Sequence, residues 1–221
     1  MITRVLIAED HESANISVQK TLEELSISHV DYVYYCDDAF DRIQRANKTD
    51  KSYDLLITDL FFEEDYRTQK LGDGTALISE VKQEQPDLKI LVFSAESKAT
   101  IIETLFEQYH IDGYVRKARN DAKELKTAIS QLSQNQQYFP RHIMQVIQHK
   151  NAYDFTDFDI TIISLLANGM RQKDIPAYLQ QNQVRPSGLS TIEKRLNQMK
   201  EALEFSKNEQ LVAFCKDMGI I

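Results

Sequence analysis

The stretch Val5-Leu6-Ile7-Ala8-Glu9-Asp10 joins a short apolar run to two consecutive acids. A second apolar run, residues 55–58, ends in a single acid, Asp59. Short apolar runs closed by polar residues are typical of strands that are buried in a parallel sheet. Ligands bind beyond the carboxyl ends of such strands. If the two strands are neighbours, the three acids therefore converge in one crevice.

The predicted cluster of Glu9, Asp10 and Asp59 concentrates negative charge in a small space. Two carboxylates about 4 Å apart repel by roughly 4 kcal/mol at an effective dielectric near 20. Such a cluster must either hold a proton or bind a cation. The sequence therefore predicts a functional site at this edge of the sheet.

The first 125 residues alternate between strand and helix patterns. The predicted strands are 4–8, 29–35, 55–58, 89–93 and 113–115, and the predicted helices are 12–25, 38–46, 74–82, 97–109 and 120–132. Asp37 is placed to cap the second of these helices. Alternating βα units indicate an α/β fold with a doubly wound parallel sheet and right-handed crossovers.

The remaining chain has a different pattern. A Gln-rich run and Phe139-Pro140 predict a linker at 126–152, which includes a short helix at 141–147. Residues 153–221 have purely helical periodicity and predict a small all-α domain. Thr156 is placed to cap its first helix, with Asp159 at the third helical position, and Gly169 is placed to end that helix. The buried face of this helix is predicted to comprise Ile160, Ile163, Leu166 and Ala167.

Charge and composition limit the function classes. The net charge is −8, with 25 acidic and 18 basic side chains in residues 1–152 but nine and eight in residues 153–221. Only the second part can approach nucleic acid without strong repulsion. Cys36 and Cys215 lie far apart without metal-ligand spacing, which favours reduced thiols. No apolar run reaches the roughly 20 residues of a membrane span, and early acids argue against a signal peptide. We expect a cytoplasmic protein.

The five βα units, together with Glu9-Asp10, Asp59, Ser94-Ala95 and Lys117, resemble the receiver domain of bacterial two-component response regulators. The resemblance covers residues 1–125 and implies a flavodoxin-like five-stranded sheet of order 2-1-3-4-5. Residues 153–221 resemble the helix-turn-helix output domain of the NarL/LuxR type.

The resemblance implies roles for individual residues. Asp59 is the expected phosphoacceptor, and a sensor histidine kinase is the expected phosphodonor. Mg²⁺ takes oxygen ligands, and the expected ligands are Glu9, Asp10, Asp59 and the backbone carbonyl of Phe61. Lys117 and Ser94 are expected to contact the phosphoryl group, and Tyr114 is the expected switch residue. Phe61 and Glu96 are expected to set the lifetime of the phosphoryl group.

The chain departs from the family pattern near the phosphoacceptor. Phe61-Phe62 replace the usual Met-Pro, and Gly74 follows Asp59 by fifteen residues, where relatives have a glycine after eight. About seven additional residues, rich in charge, are therefore expected beside the site. The proline that usually follows the lysine is replaced by Ala118.

In the output domain, residues 191–205 resemble the recognition helix of the family. Ile192, Leu196, Met199 and Leu203 share one face at helical spacing and are predicted to be core. The residues predicted to contact DNA are Thr191, Lys194, Arg195 and Lys200. Glu193 stands where relatives carry a base, and the preceding turn, 180–190, is about six residues longer than usual. Pro176 cannot lie deep inside a helix without the loss of a hydrogen bond, so the helix that precedes the recognition helix is predicted to begin late.

The sequence leads to three hypotheses for the function. The first is a response regulator that binds DNA, regulates transcription and dimerises on phosphorylation. The second keeps the receiver but has an output domain that binds a protein partner, which the acidic balance and Glu193 favour. The third is an Mg²⁺-dependent phosphatase, which requires an aspartate two residues beyond its nucleophile. The residue two beyond Asp10 is Glu12, and the residue two beyond Asp59 is Phe61, so neither candidate nucleophile has the required aspartate. We therefore expect no enzyme activity beyond self-phosphorylation and dephosphorylation of Asp59.

Overall fold

The computed structural model describes residues 2–49, 51–140 and 153–221. These residues belong to two compact units, of which the first extends to Pro140 and the second contains residues 153–221. The short helix predicted at 141–147 lies outside the described residues. Within the described ranges, no helix is both long enough and apolar enough to cross a lipid bilayer.

The first unit is a five-stranded parallel sheet flanked by helices. Its elements are β1 (Arg4–Ala8), α1 (Glu12–Glu24), β2 (His29–Val33), α2 (Cys36–Asn47), β3 (Leu55–Thr58), α3 (Gly74–Glu84), β4 (Lys89–Ser94), α4 (Ala99–Glu107), β5 (Gly113–Arg116) and α5 (Asp121–Ser133). The strand order is β2-β1-β3-β4-β5, and each neighbouring pair is parallel. The predicted doubly wound fold is confirmed.

The register of β1 and β3 brings the acids together. The two strands are neighbours, and Ala8 pairs with Thr58. Both strands are apolar and buried on both faces, as expected for the centre of a parallel sheet. Glu9 follows Ala8 and Asp59 follows Thr58, so both acids lie at the same edge of the sheet. The amide of Asp59 also donates to the carbonyl of Ala8 at 3.1 Å.

The first unit extends beyond the predicted boundary at residue 125. Helix α5 continues to Ser133, and the chain then turns back to the open edge of β5. There Tyr138 forms a parallel bridge with Gly113, and the ring of Phe139 stacks on that of Phe106 at 3.8 Å. This pairing covers an edge that would otherwise be exposed. The first residues of the predicted linker are thus part of the receiver-like unit.

The second unit consists of short helices. They are α6 (Asp157–Ala167), a 3₁₀ turn (Gln172–Asp174), α7 (Ile175–Gln181), α8 (Leu189–Ala202) and α9 (Asn208–Asp217). The capping box of Thr156 and Asp159 is confirmed. Gly169 has a φ of 84° just past the end of α6, as predicted for its role as a helix stop. Pro176 lies in the first turn of α7, where its missing N–H breaks no hydrogen bond.

The core of the second unit confirms one predicted face and corrects another. On α8, Ile192, Leu196 and Met199 are buried, and Leu203 is buried at its C-cap. On α6, the fully buried residues are Asp159, Ile162 and Ile163, so only Ile163 of the predicted face is fully buried.

Candidate functional site: an acidic pocket with a half-buried lysine

Four potential ligands converge at the carboxyl ends of β1 and β3. One ligand atom from each of Glu9, Asp10, His11 and Asp59 lies within 4.8 Å of the others. Glu9 and Asp59 are 2% and 5% exposed, so their charges are largely removed from water. The predicted convergence of the three acids is confirmed. Two of them require compensation by a cation, because buried unpaired charges are costly.

Lys117 supplies that compensation in this structure. Its Nζ lies 2.5 Å from Asp59 Oδ2 and 2.7 Å from Glu9 Oε2. The backbone holds the residue in place, since the Lys117 amide donates to the carbonyl of Ser94 at 2.8 Å. Burial disfavours the charged ammonium, but the hydrogen bonds to Asp59 and Glu9 outweigh it and raise the pKa of Lys117. Burial is also the main reason why the pKa of Glu9 is raised.

The loop after β3 fixes the orientation of the Asp59 carboxylate. Its Oδ1 accepts hydrogen bonds from the amides of Leu60 and Phe61, at 2.6 and 3.4 Å. Its Oδ2 faces Lys117. Gly74, the first residue of α3, packs so closely against this loop that a Cβ would lie 1.9 Å from the Asp59 carbonyl oxygen. The glycine noted in the sequence is therefore required by a close approach of two backbone segments.

The donor set has the chemistry of a hard divalent cation site. Three carboxylates from Glu9, Asp10 and Asp59 provide oxygen ligands, and no thiolate is among them. Mg²⁺ prefers such oxygens and keeps several waters. The residues present therefore fit this ion. His11, the fourth residue of the group, is 55% exposed, and the hydrogen bond of its Nδ1 to Asp10 Oδ1, 2.9 Å long, raises its pKa.

The predicted switch residues lie on β4 and β5, next to the pocket. Ser94 is fully buried, and its Oγ makes no well-directed hydrogen bond to any residue that the structure describes. The ring of Tyr114 is also fully buried, and its hydroxyl donates to the carbonyl of Glu96 at 2.7 Å. Burial and the nearby charge of Glu96 raise the pKa of Tyr114 far above its usual value. Tyr114 is therefore neutral and is a hydrogen-bond donor.

The two predicted lifetime residues differ in their surroundings. The side chain of Phe61, two residues after Asp59, is 58% exposed. The carboxylate of Glu96 accepts a hydrogen bond from the amide of Ser97 at 2.7 Å, which turns one of its oxygens toward its own loop.

Residues 61–73, which we call the strap, contribute a contact that the sequence did not reveal. The amide of Glu63 donates to Asp10 Oδ2 at 2.7 Å. The Glu63 amide and His11 Nδ1 therefore each bond to one carboxylate oxygen of Asp10. The sequence indicated that additional residues lie beside the site. It held no signal for a backbone amide that reaches a carboxylate 53 positions away.

On α8, the four predicted DNA-contacting residues lie in different environments. Lys194 is exposed, whereas Thr191 and Lys200 are half-buried. Arg195 is bound internally: its Nε donates to Asp159 Oδ1 at 2.7 Å, and its terminal nitrogen contacts Asp159 Oδ2 and the hydroxyl of Thr156. Helical periodicity placed Arg195 outside the core face. The structure instead assigns it to an ion pair with a fully buried carboxylate.

Comparisons with known proteins agree with this geometry. The model of the response regulator receiver domain family matches residues 5–130. The transcriptional regulatory protein RcsB of Escherichia coli strain K12 is 26% identical over 183 residues, which are 80% of each chain. A structure of RcsB from Salmonella typhimurium covers 97% of this chain and 98% of its own, with a TM-score of 0.59 and 21% identity. An RcsB–DNA complex covers 98% and 99%, with a TM-score of 0.58 and 20% identity.

The parallel sheet, with an acidic pocket at the carboxyl ends of β1 and β3, defines a flavodoxin-like α/β receiver domain. The chain belongs to the response regulator receiver family. Its receiver unit is followed along the chain by an all-helical unit, and structures of RcsB have a similar chain fold.

Proposed function

We propose that this response regulator accepts a phosphoryl group on Asp59 and that phosphorylation controls DNA binding by the helical output unit. The observation that carries the first part is the position of Lys117, whose Nζ contacts both Asp59 and Glu9. This contact places a cation where the oxygens of an incoming phosphoryl group need charge neutralisation. A sensor histidine kinase is the expected donor.

In the proposed reaction a carboxylate oxygen of Asp59 attacks the phosphorus atom. The P–O bond to Asp59 forms as the P–N bond of a phosphohistidine donor breaks, and the donor imidazole takes up the electron pair of that bond. Lys117 Nζ balances charge on a phosphoryl oxygen. Mg²⁺, when bound by Glu9, Asp10, Asp59 and the carbonyl of Phe61, supplies further neutralisation of that charge. Ser94, at the end of β4, is then expected to contact the phosphoryl group, and Tyr114 on β5 is the proposed switch residue.

Mass spectrometry of the intact protein tests this assignment. A small acyl phosphate in the presence of Mg²⁺ is expected to add one phosphoryl mass to the parent and none to Asp59→Asn. Asp87→Asn, which changes an exposed acid that follows α3, is the matched control and is expected to gain the same mass as the parent. A gain in Asp59→Asn equal to that of the parent would exclude Asp59 as the acceptor.

DNA binding is proposed for the output unit on the basis of its helices. Its α7 and α8 correspond to the two helices of a helix-turn-helix, and solved structures of RcsB bound to DNA have the same chain fold. The exposed Lys194 and the half-buried Thr191 and Lys200 remain the proposed contacts. Phosphorylation is proposed to favour a homodimer, which presents two such helices to adjacent half-sites.

A protein partner is the second candidate for the output unit. Glu193 is exposed beside Lys194 on α8 and weakens the positive charge of that helix. If the phosphorylated protein retains no DNA at low salt, this second function is favoured.

A further inference from the structure

The C-terminal end of the strap is hydrogen-bonded to α2. The amides of Lys70 and Leu71 donate to the two carboxylate oxygens of Asp37, at 2.8 and 2.9 Å. The sequence predicted that Asp37 caps α2, but this prediction is wrong. Helix α2 begins at Cys36, and the residue at its N-cap, Tyr35, makes no side-chain cap. The carboxylate of Asp37 is used instead to hold the strap.

Arg67 fastens the middle of the strap. Its two terminal nitrogens donate to the two oxygens of Asp38, at 2.8 and 2.5 Å. Its guanidinium also lies 4.3 Å from the centre of the Tyr35 ring, at cation–π distance. The Tyr35 hydroxyl in turn donates to Asp65 at 2.6 Å. A bidentate arginine with a stacked aromatic ring has a defined orientation, unlike a simple surface ion pair.

The N-terminal part of the strap contacts the pocket. The Glu63 amide donates to Asp10 Oδ2 at 2.7 Å, and the Glu63 carboxylate lies 3.8 Å from His11 Nε2. All strap residues are described, and none of them is in a helix or a strand. A segment of this kind keeps one conformation only if side chains hold it, because ordering a backbone costs about 1–2 kcal/mol per residue. The anchors on α2 therefore determine whether the Glu63 amide stays at Asp10.

Hydrogen-bond donors behind a ligating carboxylate orient it for the metal, and their loss commonly weakens metal binding. We propose that Arg67 is a positioning residue: through the strap it holds the Glu63 amide on Asp10 and presets that carboxylate for a divalent cation. The inference rests on the proposed function, since it concerns the same Mg²⁺ site. It assigns to the additional residues a role in metal affinity.

Calorimetric titration of the full-length protein with Mg²⁺ tests the proposal. Loss of an outer-shell partner costs about tenfold or more in affinity. Arg67 does not contact Asp10 itself but acts on it through the strap and the Glu63 amide. Arg67→Ala is therefore expected to raise the Kd for Mg²⁺ about three- to tenfold. Tyr35→Phe removes only the hydroxyl that holds Asp65 and is expected to raise it about twofold.

Arg42→Ala is the matched control. Arg42 lies on α2, is exposed to a degree similar to that of Arg67, and pairs with Asp31 at 3.2 Å, away from the strap. It is expected to leave the Kd unchanged. Amide exchange of the metal-free protein, followed by mass spectrometry, provides a second readout. Peptides that contain residues 61–73 are expected to exchange faster in Arg67→Ala and at the parent rate in Arg42→Ala.

The outcomes distinguish the role of the strap from the proposed function. If the parent binds Mg²⁺ and Arg67→Ala binds it equally or more tightly, the positioning role is excluded while the proposed function stands. If the parent fails to bind Mg²⁺, both the strap proposal and the metal site are excluded. If Arg67→Ala is less folded than Arg42→Ala, the comparison of Tyr35→Phe with the parent decides, and equal Kd values there exclude the proposal.

Discussion

The hydroxyl of Tyr114 donates a hydrogen bond to the backbone carbonyl of Glu96, which ties the edge strand β5 to the loop that follows β4. That loop follows Ser94, the last residue of β4, whose hydroxyl is buried and whose carbonyl accepts a hydrogen bond from the amide of Lys117. The backbone of Tyr114 faces the other way: its amide donates to the carbonyl of Tyr138 at 3.1 Å. One residue thus contacts both the loop beside the pocket and the segment that leads out of the receiver unit.

Tyr114→Phe is expected to separate phosphorylation from output. The substitution keeps the buried ring but removes the donor, at a cost of about 1 kcal/mol. Phosphoryl transfer to Asp59 is expected to stay within about twofold of the parent, while the gain in dimerisation on phosphorylation falls about fivefold. Sedimentation of phosphorylated and unphosphorylated protein measures that gain. Tyr53→Phe, which removes a buried hydroxyl bonded to Asp31, is the control, and an equal loss there would show a general effect of stability.

Gly74→Ala is expected to disturb the phosphoacceptor loop. Its Cβ would meet the Asp59 carbonyl oxygen at 1.9 Å, so the backbone of one segment must move. Overpacking of this kind costs about 1–3 kcal/mol, and movement of the loop is expected to slow phosphorylation of Asp59. Gly72→Ala is the control, because nothing lies within 4 Å of its added Cβ. Thermal unfolding and phosphorylation rates measure the two effects, and equal results for both variants would contradict the close approach.

The sequence predicted the fold and the pocket because both depend on local patterns. The apolar run 55–58 predicted β3 at the observed bounds, and parallel pairing with β1 follows from the βα alternation. The acids that end these strands then have to meet at one edge. Even the start of α6 was predictable, because a capping box involves residues only three positions apart.

The contacts that the sequence did not predict are long-range and have no periodic signal. Periodicity predicts that Arg195 lies off the core face, but not that a partner 36 positions away is fully buried. Asp37 was interpreted as a cap because such acids commonly bond to their own helix. Its actual partners are amides 33 and 34 positions later, in a segment without a repeating pattern. Side-chain bonds to irregular backbone are set by the tertiary fold alone.

Phe61→Ala is expected to shorten the lifetime of the phosphoryl group on Asp59. Phe61 follows Asp59 by two residues, and its amide donates to Asp59 Oδ1 at 3.4 Å, so the ring is attached directly beside the expected acceptor. Removal of the ring gives water easier access. Since the ring is already more than half exposed, we expect only about a two- to fivefold faster loss, less than the tenfold that corresponds to 1.4 kcal/mol. Decay of the phosphorylated protein, followed by mass spectrometry, measures this rate. Unchanged or slower decay would show that the ring does not shield the site.

Lys194→Glu is expected to weaken DNA binding, because it reverses an exposed charge on α8. Loss of one phosphate contact lowers the salt dependence of binding by about one unit of slope. Glu193→Lys is expected to strengthen non-specific binding, since it removes a repulsive charge from the same surface. Lys123→Glu, on an exposed position of α5, has the same change in net charge and serves as the control. Binding titrations at several salt concentrations measure these effects, and equal affinities for all variants would favour the protein-partner function.

Arg195→Ala is expected to destabilise the output unit rather than simply to remove a DNA contact. Asp159 is fully buried and loses its charged partner, which costs about 3 kcal/mol. Amide exchange resolved by peptide in the full-length protein is expected to show faster exchange in α6 and α8, with the receiver unit unaffected. Lys194→Ala, at the neighbouring exposed position, is the control. Equal protection in Arg195→Ala and Lys194→Ala would show that the ion pair contributes nothing to stability.

The same ion pair is expected to make the output unit sensitive to acid. Burial opposes ionisation of Asp159, but the hydrogen bonds from Arg195 and Thr156 outweigh it and lower the pKa of Asp159 below its usual value. An unfolded aspartate has a pKa of about 3.9. The pair therefore contributes its full stability above this value and loses it as the pH falls through the lower folded pKa. Amide exchange of α6 peptides at several pH values measures this loss, after correction for the intrinsic pH dependence of exchange. In Asp159→Asn this acid-dependent step is expected to disappear, and a step that persists there would assign the sensitivity to another group.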